Sequence, residues 1–464
     1  LRAKVAEPKA PAPEPEPELP FSFVVDSCTM QGRRPKQEDR HVKIPDLTKA
    51  AKALKMPIDH LEQPCAFFAV YDGHQGHNCS EFVAKSYHGK LLKRLSADTN
   101  SESWTEDRIS GVMKEICEEL DTEFLAKFRT ALDGTTLVVA LITGTKLFTT
   151  SVGDSRLVLC QRGEHEQLLA TSLTEDHRPG VQPKPGSVDE FEWNAEAQRV
   201  VDAGGIVVNL GEGAYRVAHD GYEEKMREMR RNIALGFGMV TKEPIALAVS
   251  RAIGDREFKA VTGKNLLIPT PDVKCVQLDR THKLMAVLCD GITDVMQDVE
   301  VCEELDRPRP GPPDPVKRCR VACGALVQEA YKRGSEDNLT VIFVRFQWKG
   351  GYEEAPLPKD HPVAVALAEA AATASKGDSA AVASKKRRLE ANAAVSKQKL
   401  AAYERAMAQE SGQVEPAPPK EPAPQPAAKV AKVESNGAPS KPQEEKKKEE
   451  EKPAEEEDDS MTFL

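Results

Sequence analysis

Short apolar runs rich in β-branched residues recur along this chain, and Gly, Asp or Asn residues bound each of them. Runs of this length and composition predict β-strands at 135–143, 146–160, 284–291 and 339–346. Gly144-Thr145 joins the first two runs and predicts a tight hairpin between them. Hairpins are therefore expected to form part of the fold.

Other segments repeat apolar residues every three or four positions, a spacing that keeps one face of a helix apolar. They predict helices through Val83, Tyr87, Leu91 and Leu95, through Ile109, Met113, Ile116, Leu120 and Phe124, and over residues 316–330. Because hairpins and helices mix without a regular alternation of strand and helix, the predicted fold class is an α+β layered domain rather than a doubly wound parallel sheet.

The composition changes near both ends of the chain. Residues 8–20 form a Pro-Glu tract, so residues 1–20 are expected to be a disordered lead-in. Residues 350–464 are rich in Ala, Lys and Glu and contain few large apolar side chains, so this tail is expected to be partly helical and then disordered. The folded domain and its chemistry are therefore expected within residues 21–349.

Net charge and hydropathy exclude several classes of protein. The chain contains 64 basic and 74 acidic residues, so its net charge of −10 gives no basic surplus with which to bind nucleic acid. No apolar run reaches the ~18–20 residues that a membrane span needs, and the first residues do not resemble a signal peptide. Neither nucleic acid nor membrane is expected as a partner, and a monomer is the default expectation.

The ten cysteines are scattered, and none forms a Cys-x-x-Cys pair. This distribution favours buried reduced thiols over a disulfide framework or a zinc site, and it predicts a cytoplasmic and/or nuclear protein. The basic stretch at 384–390 is compatible with nuclear import and equally with the solvated face of a helix.

Acidic residues stand where the apolar runs begin or end. They are Asp72, Asp154 and Asp290 after a run, Asp337 before one, and Glu38 and Asp39 near the first strand. A single aspartate in such a position is ordinarily a turn or cap residue. Several carboxylates gathered at one edge of the strands would instead repel one another strongly, so they would need cations.

Oxygen ligands without an accompanying set of Cys or His favour Mg²⁺ or Mn²⁺ over zinc. Gly73 directly follows Asp72 and would let a backbone carbonyl approach an ion closely. Two ions ~3.5–4 Å apart would bridge a water, lower its pKa and bind a phosphoryl group. In this interpretation Asp72 bridges the ions, Gly73 offers its carbonyl, and His74 is a candidate proton donor beside them.

Ten motifs, in order from about Phe23 to Phe346, resemble those of the PP2C-type metal-dependent serine/threonine protein phosphatases. They are GRRPKQEDRH, FFAVYDGHQGH, DGTTLVVALI, LFTTSVGDSRLVL, LTEDHRP, RVVDAGGIV, LAVSRAIGDREFK, PTPDV, VLCDGITDVM and GSEDNLTVIFVRF. Each motif is weak alone, but the ordered set is specific. The resemblance implies a four-layer α-β-β-α sandwich of two antiparallel sheets flanked by helices, with a dinuclear metal site at one edge.

The resemblance also implies the metal ligands. Asp72 would bridge two Mg²⁺ or Mn²⁺ ions, the carbonyl of Gly73 would bind one of them, and Asp290 and Asp337 would complete the other. Glu38 and Asp39 would hold metal-bound waters as an outer shell. Asp154 and Asp294, together with Asp290, match positions that hold a weaker third ion in some members, and both are equally compatible with residues that fix turns.

Two further residues receive roles in chemistry from the resemblance. Arg34 would bind the substrate phosphate bidentately, a geometry that suits a guanidinium, although a plain surface arginine remains the alternative. His74 would protonate the leaving serine or threonine alkoxide as general acid, unless it merely orders the turn after Asp72. The nucleophile would be a metal-bridging hydroxide, without a phosphoenzyme.

The resemblance implies phosphoprotein substrates, and two other readings compete with an active phosphatase. A pseudophosphatase that serves as a binding scaffold would be expected to lose a metal-binding aspartate, whereas Asp72, Asp290 and Asp337 are all present. A non-catalytic acidic module that binds cations would not explain Arg34 or His74.

The main departure from the family pattern is an insertion of about 180–246, in the region that the resemblance identifies as a flap beside the active site. It contains a predicted helix within residues 221–243 and a basic cluster of Arg227, Arg230 and Arg231. The insertion either selects among phosphoproteins or forms a plain surface loop. Both interpretations stay open.

Overall fold

The computed structural model describes residues 19–164, 167–180, 193–210, 214–235, 244–259, 263–309, 312–358 and 365 of the chain. Residues up to Pro356 belong to one compact unit, and Leu357–Glu457 belong to a second, of which three residues are described. Most of the predicted lead-in and tail, and parts of the insertion at 181–192, 211–213 and 236–243, lie outside the described residues. The predicted domain boundaries therefore stay predictions.

The strands are numbered in chain order over the described residues. They are β1 (Phe21–Met30), β2 (Arg40–Ile44), β3 (Cys65–Tyr71), β4 (Gly73–His74), β5 (Gly134–Thr135), β6 (Leu137–Thr143), β7 (Lys146–Val152), β8 (Arg156–Arg162), β9 (Leu168–Ser172), β10 (Gly205–Asn209), β11 (Tyr215–His219), β12 (Ala246–Leu247), β13 (Ile253–Gly254), β14 (Asp272–Gln277), β15 (His282–Leu288) and β16 (Leu339–Trp348).

The helices are numbered in the same way. They are α1 (Leu47–Ala53), α2 (Asn78–Leu95), α3 (Glu106–Lys127), α4 (Ala195–Asp202), α5 (Tyr222–Ala234), α6 (Asp290–Thr293), α7 (Asp298–Asp306) and α8 (Pro315–Lys332). The three helices predicted from apolar spacing correspond to α2, α3 and α8. No described helix combines the length and apolarity that a membrane crossing requires.

Two five-stranded antiparallel sheets form the centre of the unit. The first sheet has the strand order β1-β16-β15-β8-β9, and the second has the order β14-β7-β6-β3-β2. A small three-stranded sheet, β13-β5-β4, adjoins the end of β3, and another, β10-β11-β12, lies in the inserted region. The predicted hairpin joins β6 to β7, with Thr143 opposite Lys146.

Alternating side chains of the strands divide the apolar core into layers, because successive residues of a strand point to opposite faces. In β3, Phe67 packs with the core beneath α2 and α3, whereas Phe68 packs between the two sheets. In β16, Val344 packs between the sheets, whereas Phe343 packs beneath α7 and α8. The order helix, sheet, sheet, helix follows, and the predicted α+β four-layer sandwich is confirmed.

The sequence predicts one strand over the apolar run at 146–160, but the structure has two strands there. Gly153 has a φ of +99°, a left-handed conformation that favours glycine, and it ends β7 of the second sheet. The chain then crosses to the first sheet and resumes as β8. Asp154 lies at this crossing, so the break places its carboxylate at the end of the sandwich.

Candidate metal-binding and catalytic site

The predicted metal-binding carboxylates lie together at one end of the sandwich. Asp72 follows β3, Asp290 begins α6 just after β15, and Asp337 comes shortly before β16. Burial raises the pKa of Asp72 well above its ordinary value, and the nearby charges of Asp39, Asp290 and Asp337 raise it further. We call the cluster of Asp39, Asp72, Asp154, Asp290, Asp294 and Asp337 the acidic end.

Asp39 lies close to Asp72 and Cys289. Its carboxylate, that of Asp72 and the Cys289 sulfur lie within 4.8 Å of one another. Thr340 Oγ1 donates a hydrogen bond of 2.6 Å to Asp39 Oδ2. Burial raises the pKa of Asp39 to about 6, and the charge of Asp337 adds to that rise. The Asp39 carboxylate is therefore held directly against the expected bridging ligand.

Cys289 is a close neighbour of these carboxylates. Burial, together with the charges of Asp39 and Asp72, raises the pKa of its thiol well above the ordinary value. The thiol donates to the carbonyl of Asn338 at 3.5 Å.

Gly73 and Glu38 are brought together by backbone packing. A Cβ atom at Gly73 would lie 2.4 Å from the Glu38 carbonyl oxygen and 2.8 Å from Ser80 Oγ, so only glycine fits here. Ser80 Oγ donates to that same carbonyl at 2.6 Å. The close approach places the half-buried Glu38 beside the Asp72-Gly73 turn, as its predicted outer-shell role requires.

Arg178 lies among three carboxylates of the acidic end, a contact that sequence reasoning missed. Its Nε donates to Asp154 Oδ2 at 2.8 Å, and its Nη2 contacts Asp290 Oδ2 at 3.3 Å and Asp294 Oδ1 at 2.8 Å. Asp154 is 2% exposed, and burial raises its pKa while Arg178 lowers it. The pair of residues expected to hold a weaker third ion thus already shares a guanidinium.

Arg34 also contacts the acidic end. Its exposed guanidinium forms an ion pair with the Asp337 carboxylate. Asn338 positions the loop that carries it, because its side chain accepts from the Glu38 N–H at 2.8 Å and donates to the carbonyls of Gln31 and Lys36. Arg34 therefore stands where it can meet an anion that approaches the carboxylates.

His74 is paired with Asp255, a residue to which the sequence analysis assigns no role in the site. Its Nε2 lies 2.8 and 2.9 Å from the two carboxylate oxygens of Asp255, whose side chain is fully buried. Burial alone would lower the pKa of His74, but the Asp255 carboxylate outweighs it and raises that pKa. His74 itself is 22% exposed, so its ring can reach a substrate.

The small sheet β13-β5-β4 builds this pair. His74 is opposite Gly134, and Gly134 is opposite Gly254, the residue before Asp255. A Cβ atom at Gly134 would lie 2.0 Å from Asp255 Oδ2 and 2.5 Å from His74 Nε2, so the two side chains meet over the space that glycine leaves. Asp255 adopts a left-handed φ of +51° there.

The residues present fit divalent cations. The donors are carboxylate and carbonyl oxygens, the ligands that Mg²⁺ and Mn²⁺ prefer. Burial raises the pKa values of Asp39, Asp72 and Asp290, and the charges of neighbouring carboxylates raise them further. Added positive charge would relieve the repulsion between these carboxylates.

Comparison with known proteins agrees with this geometry. Residues 23–339 match the family described as Protein phosphatase 2C. The integrin-linked kinase-associated serine/threonine phosphatase 2C of Bos taurus is 27% identical over 329 residues, which cover 68% of this chain and 74% of that protein. Protein phosphatase 1B of Mus musculus is 27% identical over 351 residues, which cover 72% of each.

A solved structure shares the fold. The serine-threonine phosphatase 2C from Toxoplasma gondii superposes with a TM-score of 0.54 at 22% identity, and the match covers 72% of this chain and 98% of that one. The family match spans more than half of this chain and includes Asp72 and Asp290. This protein therefore belongs to the protein phosphatase 2C family and is a serine/threonine phosphatase.

Proposed function

We propose that this chain hydrolyses phosphoserine and phosphothreonine in proteins with two divalent cations, Mg²⁺ or Mn²⁺, and without a phosphoenzyme. The observation that supports this proposal is the acidic end itself, where Asp72, Asp290 and Asp337 adjoin one another beside Arg34. Buried carboxylates that repel one another destabilise the folded protein unless a bound ligand offsets the repulsion. A pseudophosphatase would have no functional reason to keep such a cluster of carboxylates.

The proposed ligands are Asp72, the carbonyl of Gly73, Asp290 and Asp337, with Glu38 and Asp39 around them. Bound cations would supply an activated water as nucleophile and neutralise charge on the phosphoryl group. Asp154 and Asp294 would complete a weaker third site only after Arg178 leaves them, because its guanidinium already pairs with both.

The chain's own residues would position the substrate. Arg34 would release Asp337 and donate two parallel hydrogen bonds to the phosphate oxygens, for which its planar guanidinium is suited. Its exposure favours this exchange, since half of its side-chain surface is accessible to solvent.

His74 would give its proton to the leaving alkoxide. The Asp255 carboxylate holds Nε2 and favours the charged ring, so the proton would leave from Nδ1, which makes no hydrogen bond to any described residue. Asp255 would act as a positioning residue, because it touches the ring and not the substrate.

The decisive experiment measures hydrolysis of a phosphothreonine peptide in Mg²⁺, in Mn²⁺ and in a chelator. We expect no activity in chelator and at least ~10³-fold loss for Asp72→Ala. His74→Ala should lose ~10²-fold on the peptide and far less on an aryl phosphate, whose leaving group needs no proton.

Asp107→Ala is a matched control, since Asp107 is an exposed aspartate in the first turn of α3. Calorimetric titration with Mn²⁺ would report ion binding independently of turnover. Full activity in chelator, or an Asp72→Ala variant that binds Mn²⁺ as the wild type does, would refute the proposed mechanism.

A further inference from the structure

A surface pocket of about 520 Å³ lies at the end of the first sheet opposite to the acidic end. Val24 of β1, Lys283 of β15 and Gln347 of β16 line it, whereas Asp290 and Asp337 lie at the other ends of β15 and β16. At about 3.3 Å per residue, Lys283 and Asp290 are roughly 23 Å apart. The pocket and the acidic end are therefore separate places on the surface.

Among the charged side chains that line this pocket, the basic ones outnumber the acidic ones. The basic ones are Lys283, Arg307, Arg309, Arg318 and Arg345, and we call their site the basic pocket. Asp306 pairs with Lys283 at 2.6 Å and with Arg345 at 2.9 Å. Glu304 pairs with both Arg307, at 3.0 Å, and Arg309. Each of these two carboxylates thus serves two cations, so the pocket keeps a positive surplus.

Arg318 carries much of that surplus. Its Nη1 donates to the carbonyls of Pro312 and Pro313 at 3.4 and 2.7 Å, and it pairs with no carboxylate among the described residues. The side chain is exposed near the beginning of α8. Arg307 and Arg345 are also accessible, at 38% and 31% of their side-chain surface. An anion from solution can therefore reach three of the five guanidinium or ammonium groups.

Apolar groups form the rest of the pocket. Phe343, Val24 and Pro315 line it, and the Arg345 guanidinium lies over the Phe343 ring, 5.4 Å from its centroid. The volume falls within the range of about 300–1,000 Å³ that is usual for ligand sites. Charged and apolar surfaces side by side suit a peptide that carries both acidic and apolar side chains.

The charge of the whole chain narrows the class of ligand. The chain as a whole has a net charge of −10, which gives no basic surplus for an extended polyanion such as a nucleic acid. A short acidic peptide experiences mainly the local cations, because charges are screened beyond about 8 Å at physiological salt. The observations therefore favour a short acidic segment of a protein.

We propose that the basic pocket binds an acidic segment of the phosphoprotein substrate, a short run of Asp and Glu next to an apolar residue, while the phosphorylated residue enters the acidic end. The inference goes beyond the phosphatase activity. It depends on the proposed function only because the phosphorylated residue of the substrate must bind at the acidic end. To connect the two sites, the substrate must supply at least about seven extended residues. Attachment there would raise the effective concentration of the phosphorylated residue.

The first experiment measures binding of a fluorescein-labelled peptide that contains an Asp-Glu run and one leucine to the full chain, by fluorescence anisotropy without divalent ions. We expect binding that weakens with salt, and at least ~10-fold weaker binding to the double variant Arg307→Glu, Arg318→Glu. Lys317→Glu is the matched control, since Lys317 is exposed on the same helix but does not line the pocket. It should change affinity less than ~2-fold.

The second experiment compares phosphothreonine peptides that carry the acidic run about twelve or two residues from the phosphate. The longer spacing should lower KM by ~10-fold with kcat unchanged, and the double variant should abolish that difference. Equal binding to the wild type and the double variant, an equal loss for Lys317→Glu, or no effect of spacing would overturn the proposal. Because the binding assay needs neither metal nor turnover, its result does not depend on the proposed catalytic mechanism.

Discussion

Opposite ends of β1, β15 and β16 carry opposite imbalances of charge. At the acidic end six aspartates share Arg34 and Arg178, and the carboxylates of Asp154 and Asp39 are almost completely buried. At the basic pocket five cations share two carboxylates, and several of the cations remain open to water. Water can solvate the exposed cations of the pocket, whereas it hardly reaches Asp39 and Asp154 at the acidic end. We therefore expect a bound cation at the acidic end to stabilise the protein far more than a ligand at the pocket would.

The largest test of this difference is Arg178→Gln. Without the guanidinium, Asp154 becomes a buried carboxylate without its partner, and losing one member of a buried pair costs ~3–5 kcal/mol. We expect a loss of about 3 kcal/mol in the free energy of unfolding in chelator, and a much smaller loss in saturating Mg²⁺. Urea unfolding in the two conditions measures both.

Arg333→Gln is the matched control for that variant. Arg333 pairs with Glu300 and Glu329 near the surface, so its replacement should cost less than ~1 kcal/mol in either condition. If Arg178→Gln lost the same stability with and without Mg²⁺, Arg178 would be a structural brace and not a counter-charge for the acidic end.

The two ends also differ in how far the sequence predicts them. Asp72, Asp290 and Asp337 were predictable, because each stands where an apolar run begins or ends and motif order assigned them one site. Arg178 and Asp255 lie in equally recognisable motifs. Their partners, however, are distant in sequence. His74 and Asp255, for example, are brought together only by the pairing of β4, β5 and β13.

The basic pocket carries no sequence signal at all. Its cations come from β15, β16, α8 and the loop after α7, and no two of them form a motif. The α+β class followed from strand and helix periodicity, whereas the break at Gly153 did not, because an apolar run does not show that its halves belong to different sheets. The predicted roles of Glu38, Asp39, Arg34 and the rest of the site stay predictions until variants are assayed.

A second test uses pH. Burial raises the pKa of Asp39 to about 6 from its ordinary 3.8, so the folded protein binds more protons than the unfolded chain between these values. Stability of the metal-free protein should therefore fall as pH rises through this window, by up to ~3 kcal/mol at 1.36 kcal/mol per pKa unit. Asp39→Asn should reduce that fall, although Asp72 and Asp290 still contribute to it, and the variant should be more stable than the wild type in chelator above pH 6.

Urea unfolding at several pH values between 4 and 8 measures this effect. The same series in saturating Mg²⁺ is the control, because a bound cation should offset the repulsion and reduce the advantage of Asp39→Asn. An Asp39→Asn variant that is less stable than the wild type at pH 7 in chelator would show that its hydrogen bond from Thr340 matters more than its charge.

A third test concerns Asp255, a carboxylate that is paired with His74. Asp255→Asn should lower kcat on a phosphothreonine peptide by ~10–100-fold, because His74 loses the partner that holds it charged and oriented. Hydrolysis of an aryl phosphate should change by less than ~3-fold. In a His74→Gln background the substitution should add no further loss.

Asp121→Asn is the matched control for this variant. Asp121 is also buried, and it accepts from the Gly254 N–H at 2.8 Å and pairs with Lys259 at 3.1 Å, without touching His74. Its replacement should affect both substrates equally if it affects them at all. Equal losses on both substrates for Asp255→Asn would reduce that residue to a packing role.

The smallest expected effect is at the basic pocket, where removing a carboxylate should lower the stability of the protein rather than raise it. Asp306→Asn takes a carboxylate away from Lys283 and Arg345, which are 21% and 31% exposed and can turn to water. We expect a loss of about 1 kcal/mol in the free energy of unfolding at low salt, and less at high salt, because screening weakens the pairs. Removing one carboxylate should therefore stabilise the acidic end and destabilise the basic one. If Asp306→Asn instead stabilised the protein, the positive surplus that makes the pocket a site for an acidic peptide would not exist.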